Sequence, residues 1–147
     1  PVSRTLTDEG FTVFGIDASP RLVGEYCRRF PGARVACEAA EDSSYFDRTF
    51  DAAVAIGLMF LLPPDTQKTA LLRMASAVAP GGRILFSAPR QPCQWIDTLT
   101  GRESRSLGSE AYEGIMASAG WRLDTSYADD GGSHYFGFTR DRAPFIA

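Results

Sequence analysis

Short apolar runs alternate along this chain with stretches of helical periodicity, and proline or glycine marks most of the changes between them. The apolar runs are residues 11–16, 33–37, 50–57 and 83–88. Ser19-Pro20 provides a hydroxyl N-cap followed by proline at the first helical position, and Pro63-Pro64-Asp65 opens a second helix. This order predicts an α/β fold: an open, doubly wound, mostly parallel sheet with right-handed crossovers.

Two patterns predict what the core contains. Leu71, Met74, Ala75 and Val78 follow the i, i+3, i+4, i+7 spacing of one buried helix face. The continuous apolar run 50–57 is typical of a strand covered on both faces.

The C-terminal part departs from the alternation. After a predicted loop over 89–108, Ser109 is expected to cap a helix. Residues 121–127 and 134–139 have strand character, and the Asp-Asp-Gly-Gly sequence at 129–132 suits a tight reversal. We therefore predict a final hairpin whose last strand is antiparallel to its neighbours.

Composition excludes several classes of function. The 147 residues carry 15 basic against 18 acidic side chains, a net charge of −3, so neither a nucleic acid nor a membrane surface is an expected partner. The longest apolar run, 52–62, is too short to span a bilayer. Three widely spaced cysteines and a single histidine favour neither a disulfide framework nor a metal site. We expect a cytoplasmic domain without a metal.

Asp17 is the most informative polar residue. It follows the first apolar run directly and precedes the Ser19 helix. At the carboxyl end of a strand in such a sheet, an acid can accept hydrogen bonds from both hydroxyls of a ribose. The alternative is that Asp17 only caps its own loop.

The segments GFTVFGIDASPRLV, AAEDSSYFDRTFDAAVAIG and LLPPDTQKTALLRMASAVAPGGRILFSAP together resemble class I S-adenosylmethionine-dependent methyltransferases. The resemblance runs from about Gly10 to Thr139 and implies a Rossmann-like fold and methyl transfer from S-adenosyl-L-methionine to a small molecule. It places Asp17 and Ala18 at the ribose. Adenine would be bordered by Ala40, Glu41 and Asp42. The floor near the methyl group would comprise Ile56, Gly57 and Leu58, with Gly57 allowing close backbone approach. The alternative is that these residues form an ordinary buried strand end, since the run is apolar.

The sequence departs from the family pattern at two places. The first strand and its glycine-rich loop would lie upstream of Pro1, so we expect one N-terminally truncated methyltransferase domain over 1–147, with weak cofactor binding by this chain alone. The acid expected before the adenine-contacting pair is replaced by Ala39, which leaves Glu38, Glu41 or Asp42 as substitutes.

The remaining candidates concern the methyl acceptor. His134 has a suitable intrinsic pKa for a general base, or is a surface residue of the hairpin. Trp95 and Tyr135 either line an acceptor pocket or pack beneath the long loop. Arg102 and Arg105 either bind an anionic acceptor or are simply solvated.

Two other functions stay open from the residues. A nicotinamide-dependent oxidoreductase shares the acid after a strand, although the final hairpin and the absence of a Tyr-x-x-x-Lys pair count against it. A non-catalytic remnant or interaction module of the same fold is the second. No G-x-S-x-G elbow or P-loop signature occurs, which argues against a serine hydrolase and a P-loop enzyme. The sequence leaves the oligomeric state unknown.

Overall fold

The computed structural model describes residues 2–142, which contain four helices and eight strands. In chain order the elements are α1 (Val2–Asp8), β1 (Phe14–Asp17), α2 (Pro20–Arg29), β2 (Arg34–Cys37), β3 (Phe50–Ala55), α3 (Pro64–Ala77), β4 (Val78–Ser87), β5 (Cys93–Ile96), β6 (Glu103–Ser106), α4 (Ser109–Ser118), β7 (Arg122–Ala128) and β8 (His134–Thr139). The chain forms two compact units, Pro1–Phe46 and Asp47–Ala147. No helix within 2–142 has an apolar stretch long enough to cross a membrane.

The first unit is a β-α-β arrangement. β1 and β2 pair in parallel, with Phe14 opposite Arg34 and Asp17 opposite Cys37. The predicted start of α2 is confirmed, because the Ser19 hydroxyl accepts a hydrogen bond from the Leu22 amide and Pro20 follows it. The two strands therefore end side by side, and Asp17 is the last residue of its strand.

The second unit contains a four-stranded sheet of order β3-β4-β8-β7. β3 and β4 are parallel, whereas β8 is antiparallel to both β4 and β7. The predicted C-terminal hairpin is therefore confirmed, with Asp129 accepting hydrogen bonds from the Ser133 amide and from Tyr135 across the reversal.

The core of this unit lies on one face of that sheet. Phe86 contacts the rings of Tyr112, Phe136 and Phe138, with centroid distances of 5.2, 5.4 and 5.8 Å. The apolar stripe predicted for α3 is buried, and its last member, Val78, is already the first residue of β4. The expectation that β3 is covered on both faces is wrong, because Val54 is 42% exposed. A continuous apolar run does not by itself show whether both faces are covered, and Ala55 alone is buried in β3.

Three boundaries differ from the sequence prediction. β4 begins at Val78, before Pro80-Gly81-Gly82, and its pairing with β3 shifts register across that segment. The predicted loop 89–108 contains the antiparallel pair β5–β6. Ser109 is the first residue of α4, and Gly108 is its N-cap without a side-chain hydrogen bond. The first two errors arise where short polar or glycine-rich segments join a strand pairing that local sequence does not specify.

A buried polar network connects the β5–β6 hairpin to helices α3 and α4. Tyr112 donates from its hydroxyl to Gln67 Oε1 at 2.7 Å, and Gln67 Nε2 donates to the carbonyl of Arg105 at 2.8 Å. Both side chains are fully buried. Burial raises the pKa of the Tyr112 hydroxyl, which therefore stays neutral and able to donate. The segment after β4 is thus fixed to α3 and α4.

Candidate functional site

Only one of the two carboxylate oxygens of Asp17 is hydrogen-bonded within the described part of the fold. Its Oδ1 accepts a hydrogen bond from the Ser19 amide at 2.8 Å. Oδ2 accepts none from any residue in the described range 2–142, and the side chain is partly exposed. The loop-capping role and a ligand-binding role are therefore compatible, because they use different oxygens.

The loop after β2 lies against the end of β1. The Glu38 amide donates to the Asp17 carbonyl at 3.1 Å, which brings the two segments predicted to bind ribose and adenine to one edge. Ser43 is buried and donates from its hydroxyl to Glu38 Oε1 at 2.6 Å, while accepting from the Tyr45 amide. Tyr45 donates from its own hydroxyl to the Ala40 carbonyl at 3.1 Å. The loop is thus ordered by its own hydrogen bonds.

Two backbone amides of this ordered loop stay available as hydrogen-bond donors. The amides of Ala40 and Glu41 make no hydrogen bond to another residue of the described chain, and both residues are partly exposed. The Asp42 amide donates to the Ala39 carbonyl, and the Asp42 side chain is exposed. Ala18, at the same edge, is exposed, with the Cys37 thiol 4.0 Å from its carbonyl oxygen. The loop therefore presents backbone donors close to the partly used carboxylate of Asp17.

The same loop ends in a left-handed turn. Tyr45 and Phe46 have φ values of 50° and 58°, a conformation that costs about 1–2 kcal/mol for a residue with a side chain. The Tyr45 hydrogen bonds and an edge contact between Phe46 and Phe14, with centroids 5.1 Å apart, hold these residues in place. Strained backbone of this kind is concentrated at functional sites.

A second candidate edge lies within the second unit, where β3 and β4 end. The Gly57 amide donates to the Ser87 hydroxyl at 2.8 Å, which joins the carboxyl ends of the two strands. Gly57 has a φ of 71°, and a Cβ added there meets nothing within 4 Å in the described structure. This positive φ by itself favours glycine, and the open space beside the residue leaves the predicted close approach of a ligand to the backbone as a prediction. Ile56 is exposed and Leu58 is partly exposed beside it.

His134 lies at this same edge, because β8 is antiparallel to β4. The Ala88 amide, just after β4, donates to the His134 carbonyl at 3.1 Å. The imidazole Nε2 shares a hydrogen bond of 2.9 Å with the Ser126 hydroxyl. Partial burial lowers the pKa of His134, and the positive charge of Arg90 lowers it further. A neutral imidazole at pH 7 can accept a proton.

Trp95 projects from β5 toward the same edge. Its ring contacts Phe60, with centroids 5.5 Å apart, and Phe60 lies in a short 3-10 turn (Met59–Leu61) that begins two residues after Gly57. Both aromatic side chains are partly exposed.

The other acceptor candidates lie apart from this pair. Arg105 donates from Nη2 to Gln94 and to Glu103 at 2.7 and 2.9 Å. Arg102 is exposed near the tip of the β5–β6 hairpin. Tyr135 is on the face of β8 opposite to His134 and donates its hydroxyl to Asp129 at 2.8 Å. That hydrogen bond raises the pKa of Tyr135 and lowers the pKa of Asp129.

The structure thus brings together two groups of candidates, each within one unit. Asp17 and the 38–42 loop meet in the first unit, and Gly57, His134 and Trp95 share the strand-end edge of the second. Sequence reasoning missed Ser43, Ser87 and Phe60. Ser87 was recognisable as a polar residue ending an apolar strand, and Phe60 as an aromatic residue just beyond Gly57. No feature of the neighbouring sequence identified Ser43. Within residues 2–142, no three His, Cys, Asp or Glu side chains are grouped so as to hold a metal ion.

Comparison with known proteins gives one family match. A family model described as a methyltransferase domain matches residues 1–82, more than half of the chain. No curated protein matches the sequence.

Several solved structures are similar in fold. A 1,6-didemethyltoxoflavin N1-methyltransferase from Burkholderia thailandensis, with its acceptor and S-adenosylhomocysteine bound, is 18% identical over 96% of this chain, at a TM-score of 0.71. An amino pentose methyltransferase from Micromonospora echinaspora is 16% identical over 93% of this chain, at a TM-score of 0.74. An S-adenosylmethionine-dependent methyltransferase from Clostridium acetobutylicum is 11% identical over 95% of this chain, at a TM-score of 0.77. The chain spans 66%, 78% and 79% of these three proteins, and the similarity confirms the predicted fold class.

Proposed function

The chain belongs to the methyltransferase domain family, and on that premise we propose that it transfers a methyl group from S-adenosyl-L-methionine to a small-molecule acceptor. Two of the similar structures are enzymes whose names specify small-molecule acceptors, a toxoflavin precursor and an amino pentose. The alignments with all three structures extend over both compact units, which supports treating 1–147 as one methyltransferase domain. Neither the family model nor these structures support the nicotinamide-dependent alternative.

One observation carries the proposal: the hydrogen bond from the Glu38 amide to the Asp17 carbonyl. It holds the acid that would bind the ribose hydroxyls next to the loop whose Ala40 and Glu41 amides would bind the adenine edge. The unused Oδ2 of Asp17 and these two unpartnered amides fit a nucleoside, which offers hydroxyl donors to the first and ring-nitrogen acceptors to the second. S-adenosyl-L-methionine supplies an electrophilic methyl group when it is bound.

The residues of this chain contribute mainly by positioning. An in-line methyl transfer needs alignment of acceptor and donor and exclusion of water more than a large set of acid–base groups. We assign Ile56, Gly57 and Leu58 to the wall beside the methyl group, because they form the strand end that the Ser87 hydroxyl fixes. His134, neutral at pH 7, would accept the proton that an acceptor hydroxyl or amine releases, through the nitrogen that Ser126 does not occupy.

We assign Trp95 to acceptor binding, because it lies at the edge shared with Gly57. Arg105 and Tyr135 remain candidates for more distant acceptor contacts, although the Arg105 Nη2 and the Tyr135 hydroxyl are already hydrogen-bonded. We also propose a cytoplasmic location, supported by three free cysteines. The net charge of −3 supports the proposal that nucleic acid is not a partner.

Calorimetric titration of the full gene product with S-adenosylhomocysteine tests this function. We expect Asp17→Asn to weaken binding about 10- to 100-fold, because a charge-assisted pair of hydrogen bonds is lost. The asparagine oxygen still accepts from the Ser19 amide, so the helix cap is retained. Asp8→Asn, on the exposed surface of α1, is the matched control and should leave the affinity unchanged. Binding of NAD in place of S-adenosylhomocysteine would contradict the proposal, and binding of neither would favour the non-catalytic module.

A further inference from the structure

The β5–β6 hairpin has one uncharged face. Antiparallel pairing sets Trp95 opposite Ser104 and Cys93 opposite Ser106, so these four side chains share a face. Gln94 and Arg105 pair on the other face, where Arg105 also bonds Glu103. The charged residues of the two strands are therefore all on the side away from Trp95.

The uncharged face is directed at the strand-end edge of the second unit. Trp95 and Phe60 contact each other with their planes tilted by 44°, and both rings are partly exposed. Phe60 is three residues beyond Gly57, whose amide is bound to Ser87 at the end of β4. The hairpin base is fixed by the hydrogen bond from Gln67 to the Arg105 carbonyl. The two rings thus form a supported surface beside the point where β3 and β4 end.

The same face also contains an unused donor. Ser104 is fully buried, and its hydroxyl has no hydrogen-bond partner among the described residues. Buried hydroxyls are normally hydrogen-bonded, so Ser104 adds a polar but uncharged group beneath Trp95 on this face.

Building on the proposed function, we propose that Phe60 and Trp95 bind the ring of the methyl acceptor, and that this acceptor is an uncharged planar aromatic or heteroaromatic compound. Aromatic side chains stack on flat rings through dispersion and complementary quadrupoles. Stacking fixes the plane of the ring and leaves the lone pairs of ring nitrogens or ring-bound oxygens in that plane, directed at its edge. An acceptor atom held in this way is presented to the methyl group without a charged side chain in contact with the ring. Phe60 and Trp95 are therefore specificity-determining residues.

Three bicyclic probes of nearly equal size test this proposal: 2-naphthol, decahydro-2-naphthol and 2-naphthoate. The first is flat and neutral, the second is neutral but not flat, and the third is flat and anionic. Ligand-detected NMR titrations of the full gene product, with and without S-adenosylhomocysteine, would give their relative affinities. We expect 2-naphthol to bind about tenfold more tightly than decahydro-2-naphthol, and more tightly than 2-naphthoate.

Substitutions distinguish an effect of the two rings on ligand binding from an effect on the fold of the hairpin. Phe60→Leu and Trp95→Leu should each reduce the preference for 2-naphthol about threefold or more, whereas Trp95→Phe should retain it. Leu99→Ala, 94% exposed at the hairpin tip, is the control and should change nothing. If Trp95→Leu loosens the hairpin, Phe60→Leu and Trp95→Phe still decide the result, because neither removes the hairpin's own aromatic anchor.

The outcomes distinguish this proposal from the function on which it builds. Equal affinity for the flat and the saturated probe, or tighter binding of 2-naphthoate, overturns the ring-binding proposal even when S-adenosylhomocysteine binds normally. A preference for 2-naphthol that depends on both rings, without any binding of S-adenosylhomocysteine, supports the ring site and overturns the methyltransferase function.

Discussion

The two compact units are stabilised in different ways. Every fully buried apolar side chain of the described residues belongs to the second unit, from Ala55 to Phe138. The first unit contributes one buried residue, the polar Ser43, and neither α1 nor α2 has a buried side chain. Its order comes from a four-residue parallel ladder, a capped helix and the Glu38–Ser43–Tyr45 hydrogen bonds.

This contrast is informative about where binding and folding are located. Apolar burial is the dominant favourable term in folding, so the second unit supplies most of the stability. The first unit carries the carboxylate and amides assigned to the nucleoside, and its loop geometry depends on individual hydrogen bonds worth about 1 kcal/mol each. Substitutions should therefore have large effects on stability in the second unit and small ones in the first.

The largest expected effect is that of Phe86→Ala. Phe86 is fully buried and contacts three other rings, so truncation should reduce the free energy of unfolding by about 3–5 kcal/mol. Phe14→Ala, the matched change in the first unit, removes a partly exposed ring and should cost about 1 kcal/mol. Urea denaturation of both variants measures the difference. Equal losses would contradict the inference that apolar burial in the second unit supplies most of the stability.

Glycine-to-alanine changes should have opposite signs in the two units. A Cβ on Gly137 would overlap the Thr125 hydroxyl on the neighbouring strand, so Gly137→Ala should destabilise by about 1–3 kcal/mol. Gly24 lies within α2 with open space around it, so Gly24→Ala should stabilise by about 0.5–1 kcal/mol.

Thermal denaturation of the two glycine variants, together with Gly137→Ala combined with Thr125→Ala, checks the stated cause. The double variant should recover part of the loss, because the overlapping hydroxyl is gone. No recovery would mean that the backbone at position 137, rather than Thr125, requires glycine.

Removal of the α2 cap should have a smaller effect. Ser19→Ala deletes the acceptor for the Leu22 amide, and we expect a loss of about 1 kcal/mol. Amide hydrogen exchange should show the increased opening in the first turn of α2, with unchanged protection in β4 and β8. Ser19→Asp retains a capping oxygen and is the control. Increased exchange throughout β4 and β8 would argue against separate stabilisation.

The smallest expected effect concerns the pH dependence of stability in the second unit. Because the pKa of folded His134 is lowered, the unfolded chain binds its proton more readily. The contribution of this residue is therefore present above pH 6.5, the ordinary pKa of histidine, and is lost as the pH falls from 6.5 through the folded pKa. Urea denaturation at pH 7.5 and 5.5 should show a smaller acid-induced loss in His134→Gln than in the parent. An unchanged difference would assign the pH dependence to other groups.

Local sequence signals were sufficient for much of the fold. Ser19-Pro20 predicted the start of α2, the stripe Leu71 to Val78 predicted a buried helix face, and the 129–132 turn predicted the final hairpin. The β5–β6 pair was missed because each strand has four residues, among which polar and charged side chains predominate. Such strands form because Gln67 and Tyr112 hold the segment, and these residues are distant in sequence.

The residues of the candidate site likewise include some that local sequence identifies and some that only the fold identifies. Asp17 was identified from the sequence because a strand, an acid and a capped helix follow one another, which is local information. The sequence did not identify Ser43, Ser87 and Phe60, because their roles depend on partners that come close to them only in the folded chain.

The sequence by itself determined the alternation of strands and helices outside the β5–β6 pair, the methyltransferase family and the position of Asp17 at the end of a strand. These follow from periodicity, capping and a continuous set of family motifs. Only the tertiary structure decided which oxygen of Asp17 remains unused, that Gly57 is required by its φ, and that Trp95 contacts Phe60 on an uncharged face. Hydrogen-bond partners, backbone angles and the face of a strand depend on residues distant in sequence, so they are determined only when the chain is folded.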